Sequence, residues 1–415
     1  MRVRCTERMS GDFMFVTPSS FLPVTLRQVG LVTLACSALV LSACGGGDRA
    51  ADYQPTSIVS FGDENSAFAT ATVSGGDGGE LEGLTYAVNN LVVGSTTFCT
   101  DQIATTLCAT PQDGVTSFTA TGEPTSGYFD SVNTGDVFNV VTRIDLGVGD
   151  YATVAAGPLK RTVDQFYNCT AITIWTQFVA RAFGKGYEAD CRLDRPGAVT
   201  HAVVGAKVAD LGEQIDAAQA AGQLKRGALV TLWLGQNDLV EIFDNGALTL
   251  AQKEAEAQLR AAALVNGVKR ILATDAKVLL VNAPNLAYSP YALAVQAVTC
   301  EGVSERPCNP EMNALVLAFN KQIITSLGSE FALDGRRLGY VDAAQITNTY
   351  ARSTSYENKR LCAGTENLNP LTCHTQNLVT GGNTATYLWA DDLRVSWTLH
   401  NAVASTALTR ASEQF

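Results

Sequence analysis

Five short apolar runs recur along this chain, at Ile58–Phe61, Val199–Val204, Leu229–Leu234, Val278–Asn282 and Leu338–Val341. Each is too short for a helix and too continuously apolar for a strand with one wet face, so each reads as a strand buried on both sides. Between and after them lie segments with apolar residues at helical spacing, 206–222, 248–274, 310–327 and 396–412. Segment 206–222 closes on Gly222, 310–327 opens on Pro310 and 396–412 opens on Ser396, a helix-capping type. Strand alternating with helix predicts a parallel sheet covered on both faces.

Residues 69–160 break this rhythm. They are rich in Gly, Thr, Val and Asp, and 128–148 reads as two strands around Asn133-Thr134-Gly135-Asp136. A β-rich insertion after the first strand is expected here. The "SGGDGGELEG" segment at 74–83 has too few carboxylates at ligand spacing for a calcium loop and reads as a turn.

The N-terminus predicts export. Arg27 precedes an apolar stretch, Val29–Leu41, followed by Ser42-Ala43-Cys44. That is the order of a secretory leader, and the stretch is short for a membrane span. Residues 1–43 are therefore read as a signal peptide, and Met14 is a second candidate start. "LSAC" is similar to a bacterial lipobox, which implies acylation of Cys44, membrane attachment through it, and an envelope location, with Gly45 pointing to the outer membrane. Residues 44–56 then form a Gly-rich and polar tether. Of the 11 cysteines, eight lie beyond the leader. In an exported chain they read as disulfides between sequence neighbours: Cys99/Cys108, Cys169/Cys191, Cys300/Cys308 and Cys362/Cys373. With no CxxC and three histidines, no metal site is expected, and no cofactor. A net charge of −11 without any basic run argues against a nucleic-acid partner.

Four segments fall at strand ends or just before the last helix: Phe61-Gly62-Asp63-Glu64, Gly205, Gly235-Gln236-Asn237-Asp238 and Asp391-Asp392-Leu393-Arg394. In open α/β sheets such positions converge on one crevice. Here the chain resembles the SGNH/GDSL hydrolases, a family of esterases and lipases, over residues 57–413. The resemblance implies a flavodoxin-like three-layer α/β/α sandwich with a mainly parallel five-stranded sheet. It further implies acyl transfer, with a small-molecule ester or acylated glycan as partner. Gly205 and Asn237 match the family's oxyanion donors, with Asp63 and Asp238 beside them, and Asp391 matches the triad acid. The serine position holds Glu64 and the histidine position holds Arg394.

These two replacements remove the nucleophile and the base of the family's reaction. They also place a carboxylate opposite a guanidinium, so a Glu64–Arg394 pair, bidentate in its strongest form and with Asp391 close by, is expected. Ser66 lies two residues late for a nucleophile, and His400 takes the place of a packed helix histidine. His201 and His374 match no motif position, and Trp389 reads as core or pocket lining. Three functions stay open: a hydrolase using Glu64, a non-catalytic ligand-binding relative, and a structural envelope lipoprotein.

Overall fold

The computed structural model describes residues 53–72, 80–93, 128–130, 137–140, 165–168, 172–187, 196–295, 309–328, 336–363, 373–375 and 377–415. The expected signal peptide, residues 44–52 of the expected tether with Cys44, and Cys99, Cys108, Cys169, Cys191, Cys300 and Cys308 lie outside these residues. The last tether residues, 53–56, are instead packed on the domain: Tyr53 lies edge-on to Phe183 and Phe415, and Thr56 N donates to Gly227 O at 2.9 Å.

Strand β1 (Ser57–Gly62) enters the centre of a five-stranded sheet. An antiparallel excursion follows: β2 (Phe68–Thr72) pairs with β3 (Glu80–Thr85). Next come β4 (Leu91–Val93), β5 (Tyr128–Asp130), β6 (Val137–Val140) and β7 (Gln165–Asn168), which form a second small sheet. The expected strands around Asn133–Asp136 are β5 and β6, with Tyr128 opposite Asn139.

After α1 (Trp175–Ala182), the chain alternates strand and helix. It runs through β8 (Ala198–Thr200), α2 (Leu211–Ala220), β9 (Ala228–Trp233), α3 (Gln236–Asp244), α4 (Leu250–Leu272), β10 (Lys277–Val281) and α5 (Pro290–Val295). It continues through α6 (Pro310–Gly328), β11 (Leu338–Val341), α7 (Ala343–Ala351), β12 (Glu357–Arg360), β13 (Tyr387–Trp389) and α8 (Trp397–Gln414).

The main sheet runs β11-β10-β9-β1-β8, every pair parallel. Counting only its own strands in chain order, this is 2-1-3-4-5, the flavodoxin-like order expected. β9 is buried at all six positions and β10 at four of five, as two-sided cover requires. Helices α2, α3, α4 and α6 pack with one another, and α1, α7 and α8 form a second group. Local chemistry sets the helix starts. At α4, Thr249 Oγ1 accepts from the Gln252 amide while the Gln252 side chain accepts from Thr249 N, a reciprocal cap.

One expected strand is shorter than read. The run Val199–Val204 is strand only at Ala198–Thr200, and Val203 and Val204 are 55% and 43% exposed. His201 N and Val203 N still reach back to the Ser60 and Gly62 carbonyls, but as a loop leaving the sheet edge. Among the described residues, no helix is long and apolar enough to cross a membrane.

Candidate active-site crevice

β1 and β9 end together, with Gly62 opposite Trp233. Gly62 has φ +139°, and a β-carbon on it would lie 2.1 Å from the Trp233 carbonyl oxygen, so only glycine can make this exit. Gln214, reaching from α2, clamps the same residue: its side chain accepts from Gly62 N and donates to Gly62 O, each at 2.9 Å. Ser66 N closes the turn on the Asp63 carbonyl at 2.9 Å. On the β9 side, Gly235 has φ +122° and packs so tightly on Phe319 that a β-carbon would sit 2.5 Å from the ring. This delivers Gln236, Asn237 and Asp238 as the first turn of α3.

The geometry around Glu64 decides what the crevice can do. Its side chain is 1% exposed. Oε2 accepts from Gly205 N and from Asn237 Nδ2, both at 2.9 Å. Asn237 Nδ2 also donates to Ala206 O at 3.1 Å, fixing the loop that carries Gly205. Oε1 lies 3.5 Å from Gln236 Nε2 and 3.5 Å from Arg394 Nε.

The expected Glu64–Arg394 pair is therefore present as a single long contact, not a bidentate one, and Arg394 Nε makes no hydrogen bond. The reason lies in the turn 390–394, closed by Ala390 N donating to Arg394 O at 2.8 Å. Within it, Asp391 Oδ1 accepts from Leu393 N and Arg394 N, at 2.9 and 2.6 Å, and Oδ2 takes Arg394 Nη1 at 2.8 Å. The guanidinium is already committed to Asp391 when Glu64 meets it. Burial pushes the Asp391 carboxyl up, and Arg394 with the two backbone amides pulls it back.

Asp63 and Asp238 serve the frame. Asp63 is fully buried, and its Oδ1 accepts from Asn65 N and Asn65 Nδ2, at 3.0 and 2.9 Å. Its Oδ2 has no partner, and burial, reinforced by the Glu64 charge, holds its carboxyl well above the usual carboxylate range. Asp238 Oδ2 accepts from Val208 N at 2.9 Å and Oδ1 meets Arg260 Nη1 at 3.3 Å. Burial raises it to about 6 against those partners.

The remaining candidates are elsewhere. Ser66 Oγ is buried and accepts from Trp175 Nε1 at 3.1 Å. His400 is buried edge-on to Trp233 with ring centroids 5.8 Å apart, beside the Trp175 amide, and burial drops it to about 3, so it stays neutral. His201 pairs with Gln223 at 2.6 Å, and burial lowers His374. Trp389 is core. Sequence reasoning missed Tyr86, from the insertion, whose phenol is raised by burial and feels both Arg394 and Glu64. It also missed Gln214; neither residue carries a motif. Among the described residues, no three His, Cys, Asp or Glu side chains cluster as metal ligands. Cys362 and Cys373 form the expected disulfide, and Cys362 N donates to the Ala390 carbonyl next to Asp391 at 2.9 Å.

Among solved structures, the acetyl xylan esterase AlAXEase is 12% identical, over 52% of this chain and 81% of its own, with a TM-score of 0.32. Axe2, an acetylxylan esterase from Geobacillus stearothermophilus, is 15% identical over 58% and 81%, with a TM-score of 0.33. The protein YxiM of Bacillus subtilis is 14% identical over 85% and 87%, with a TM-score of 0.32. No curated protein sequence matches significantly. The profile of the GDSL-like Lipase/Acylhydrolase family matches residues 124–397, taking in Gly205, the Gly235–Asp238 turn and the Asp391–Arg394 turn but beginning after Glu64. With that match spanning more than half of its length, on a flavodoxin-like sheet whose strand ends gather these turns, the chain belongs to the GDSL-like lipase/acylhydrolase family of ester hydrolases.

Proposed function

We propose that this protein is an exported, ester-recognising member of its family that binds a small acylated ligand, an acylated glycan or a small-molecule ester, without serine-hydrolase turnover. One observation carries the reading: Glu64 Oε2 lies 2.9 Å from both Gly205 N and Asn237 Nδ2, where the oxyanion of an acyl-transfer intermediate would sit. The donors that would stabilise a transition state are saturated by an internal carboxylate. A carboxylate tied to both donors takes the place an ester oxygen would need. The Arg394 guanidinium cannot accept a proton. The leader-like residues before Cys44 support export and lipid anchoring in the envelope, facing the periplasm or the cell surface. The Cys362–Cys373 disulfide fits an oxidising compartment.

A second reading, an ester hydrolase using Glu64 as base or nucleophile, is favoured by the retention of both donors in a family of hydrolases. Hydrolysis of p-nitrophenyl acetate and of acetylated xylo-oligosaccharides by the purified protein separates the two. The expected result is no turnover above buffer, no serine labelled by a fluorophosphonate, and saturable binding of the acetylated oligosaccharide that weakens in Arg394→Ala. Turnover that disappears in Glu64→Ala would establish the hydrolase instead.

A further inference from the structure

Behind the Gly205 loop lies a pocket of about 580 Å³. One wall is the loop 200–206; the other is the exposed flank of α2, with Glu213 and Ala217. Its size falls within the roughly 300–1,000 Å³ typical of small-molecule sites. Gly205 belongs to both places: its N–H faces Glu64, and its backbone lines the pocket. Gln214, which clamps Gly62, lines it too.

We propose that this pocket is a binding site for a neutral, hydroxyl-rich ligand, a short oligosaccharide, whose acyl group would lie toward Gly205. The proposal deepens the acylated-glycan reading above and rests on it. The lining chemistry selects this class. The charged groups of the lining are carboxylates, Asp210 and Glu213, with no lysine or arginine. Lys207, on the same loop, turns its ammonium to Glu241 at 2.8 Å. An anionic ligand would therefore meet charge of its own sign. Asp210 Oδ2 already accepts from Lys207 N at 2.8 Å, so that carboxylate is partly spent as a turn cap.

What remains suits hydroxyl donors: Glu213, which accepts only, and the imidazole of His201, held in orientation by Gln223 at 2.6 Å. Val203 and Val204 project at the rim, 55% and 43% exposed. Two adjacent valines held out to water on a loop have no role in the core, and they give an apolar surface for the C–H face of a sugar ring. The pocket thus pairs hydroxyl acceptors with an apolar wall, next to the donors that Glu64 occupies.

The test is titration of the purified protein with xylotriose, spermidine and a digalacturonate by calorimetry. Xylotriose is expected to bind saturably and the digalacturonate not at all. Loss of the Glu213 acceptor in Glu213→Ala is expected to weaken xylotriose about tenfold, one charge-assisted hydrogen bond. Ala217→Trp, which fills the pocket from an exposed helix position, is expected to abolish it. Absence of xylotriose binding, tighter binding of spermidine than of xylotriose, or binding that survives both pocket substitutions overturns the proposal. Ester turnover by the wild-type protein with this binding pattern intact would sink the non-catalytic reading and leave the pocket standing.

Discussion

Replacing Glu64 by glutamine keeps the shape of the side chain and removes its charge, so it measures what the carboxylate contributes to the fold. The amide oxygen can take the place of Oε2 and keep the Gly205 N and Asn237 Nδ2 bonds. Those bonds then fall from charge-assisted to neutral, a loss of about 1 kcal/mol each. The new NH2 must sit where Oε1 was, 3.5 Å from both Gln236 Nε2 and Arg394 Nε, and both of those are donors. At 1% exposure no water replaces the missing acceptor, and an unsatisfied buried donor costs about 1–3 kcal/mol. One term opposes these: Asp63 is pushed up partly by the Glu64 charge and is relieved without it. The net expectation is a destabilisation of about 2–4 kcal/mol at pH 7, with an unchanged urea m-value. Urea unfolding followed by tryptophan fluorescence reads it directly. A change below about 0.5 kcal/mol, the range of an ordinary surface substitution, or a gain in stability, would show that the carboxylate is not anchored by these donors.

Two further outcomes follow from the same geometry. Asp238, raised to about 6 by burial, holds its proton in the native state while the unfolded chain releases it near pH 3.8. Stability is then full below about pH 4 and falls as pH rises to about 6, by roughly 3 kcal/mol. Asp238→Asn lacks this loss, so its stability relative to wild type should rise by about that amount between pH 4 and pH 7; parallel pH–stability curves would contradict it. Replacing Cys362 and Cys373 together by serine opens a loop with a sequence separation of 11. It should lower stability by about 3 kcal/mol on the chain-entropy account, read as a drop in the urea midpoint relative to wild type without reductant.

The strand rhythm made the sheet legible because a parallel sheet with two covered faces demands continuous apolar runs, and β1, β9, β10 and β11 are such runs. The same criterion failed at Val203 and Val204. An apolar run reads as strand whether its end is buried or held out to water, and here the end rims a pocket. The motif register placed Arg394 beside Glu64 correctly as neighbours. The pair is present at 3.5 Å with Asp391 beside it, and what the register could not show is why it is not bidentate. In the fold, two N–H donors at 2.9 Å claim Oε2 first, and Asp391 claims Arg394 through a local turn. Gln214 could not have been read: a helix glutamine joins the site only through its bonds to Gly62, distant in sequence.

The two replacements are unequal in what they do. Glu64 fills a space that is otherwise a cluster of donors: Gly205 N, Asn237 Nδ2, Gln236 Nε2 and Arg394 Nε all converge on its two oxygens. A smaller residue there would leave buried donors without an acceptor unless water or a ligand oxygen entered, at a cost of about 1–3 kcal/mol for each. Arg394 has the weaker hold, one contact at 3.5 Å, and its main bond is to Asp391. It meets two buried carboxylates, Glu64 at 3.5 Å and Asp391 at 2.8 Å, and offsets their charge. Asp391 orients the side chain three residues on, through Oδ2 to Arg394 Nη1 at 2.8 Å, and that side chain is a fixed cation. The crevice thus has its hydrogen-bond frame closed on its own carboxylates, Glu64 on Gly205 and Asn237 and Asp391 on Arg394, and the proposed recognition role rests on that closure.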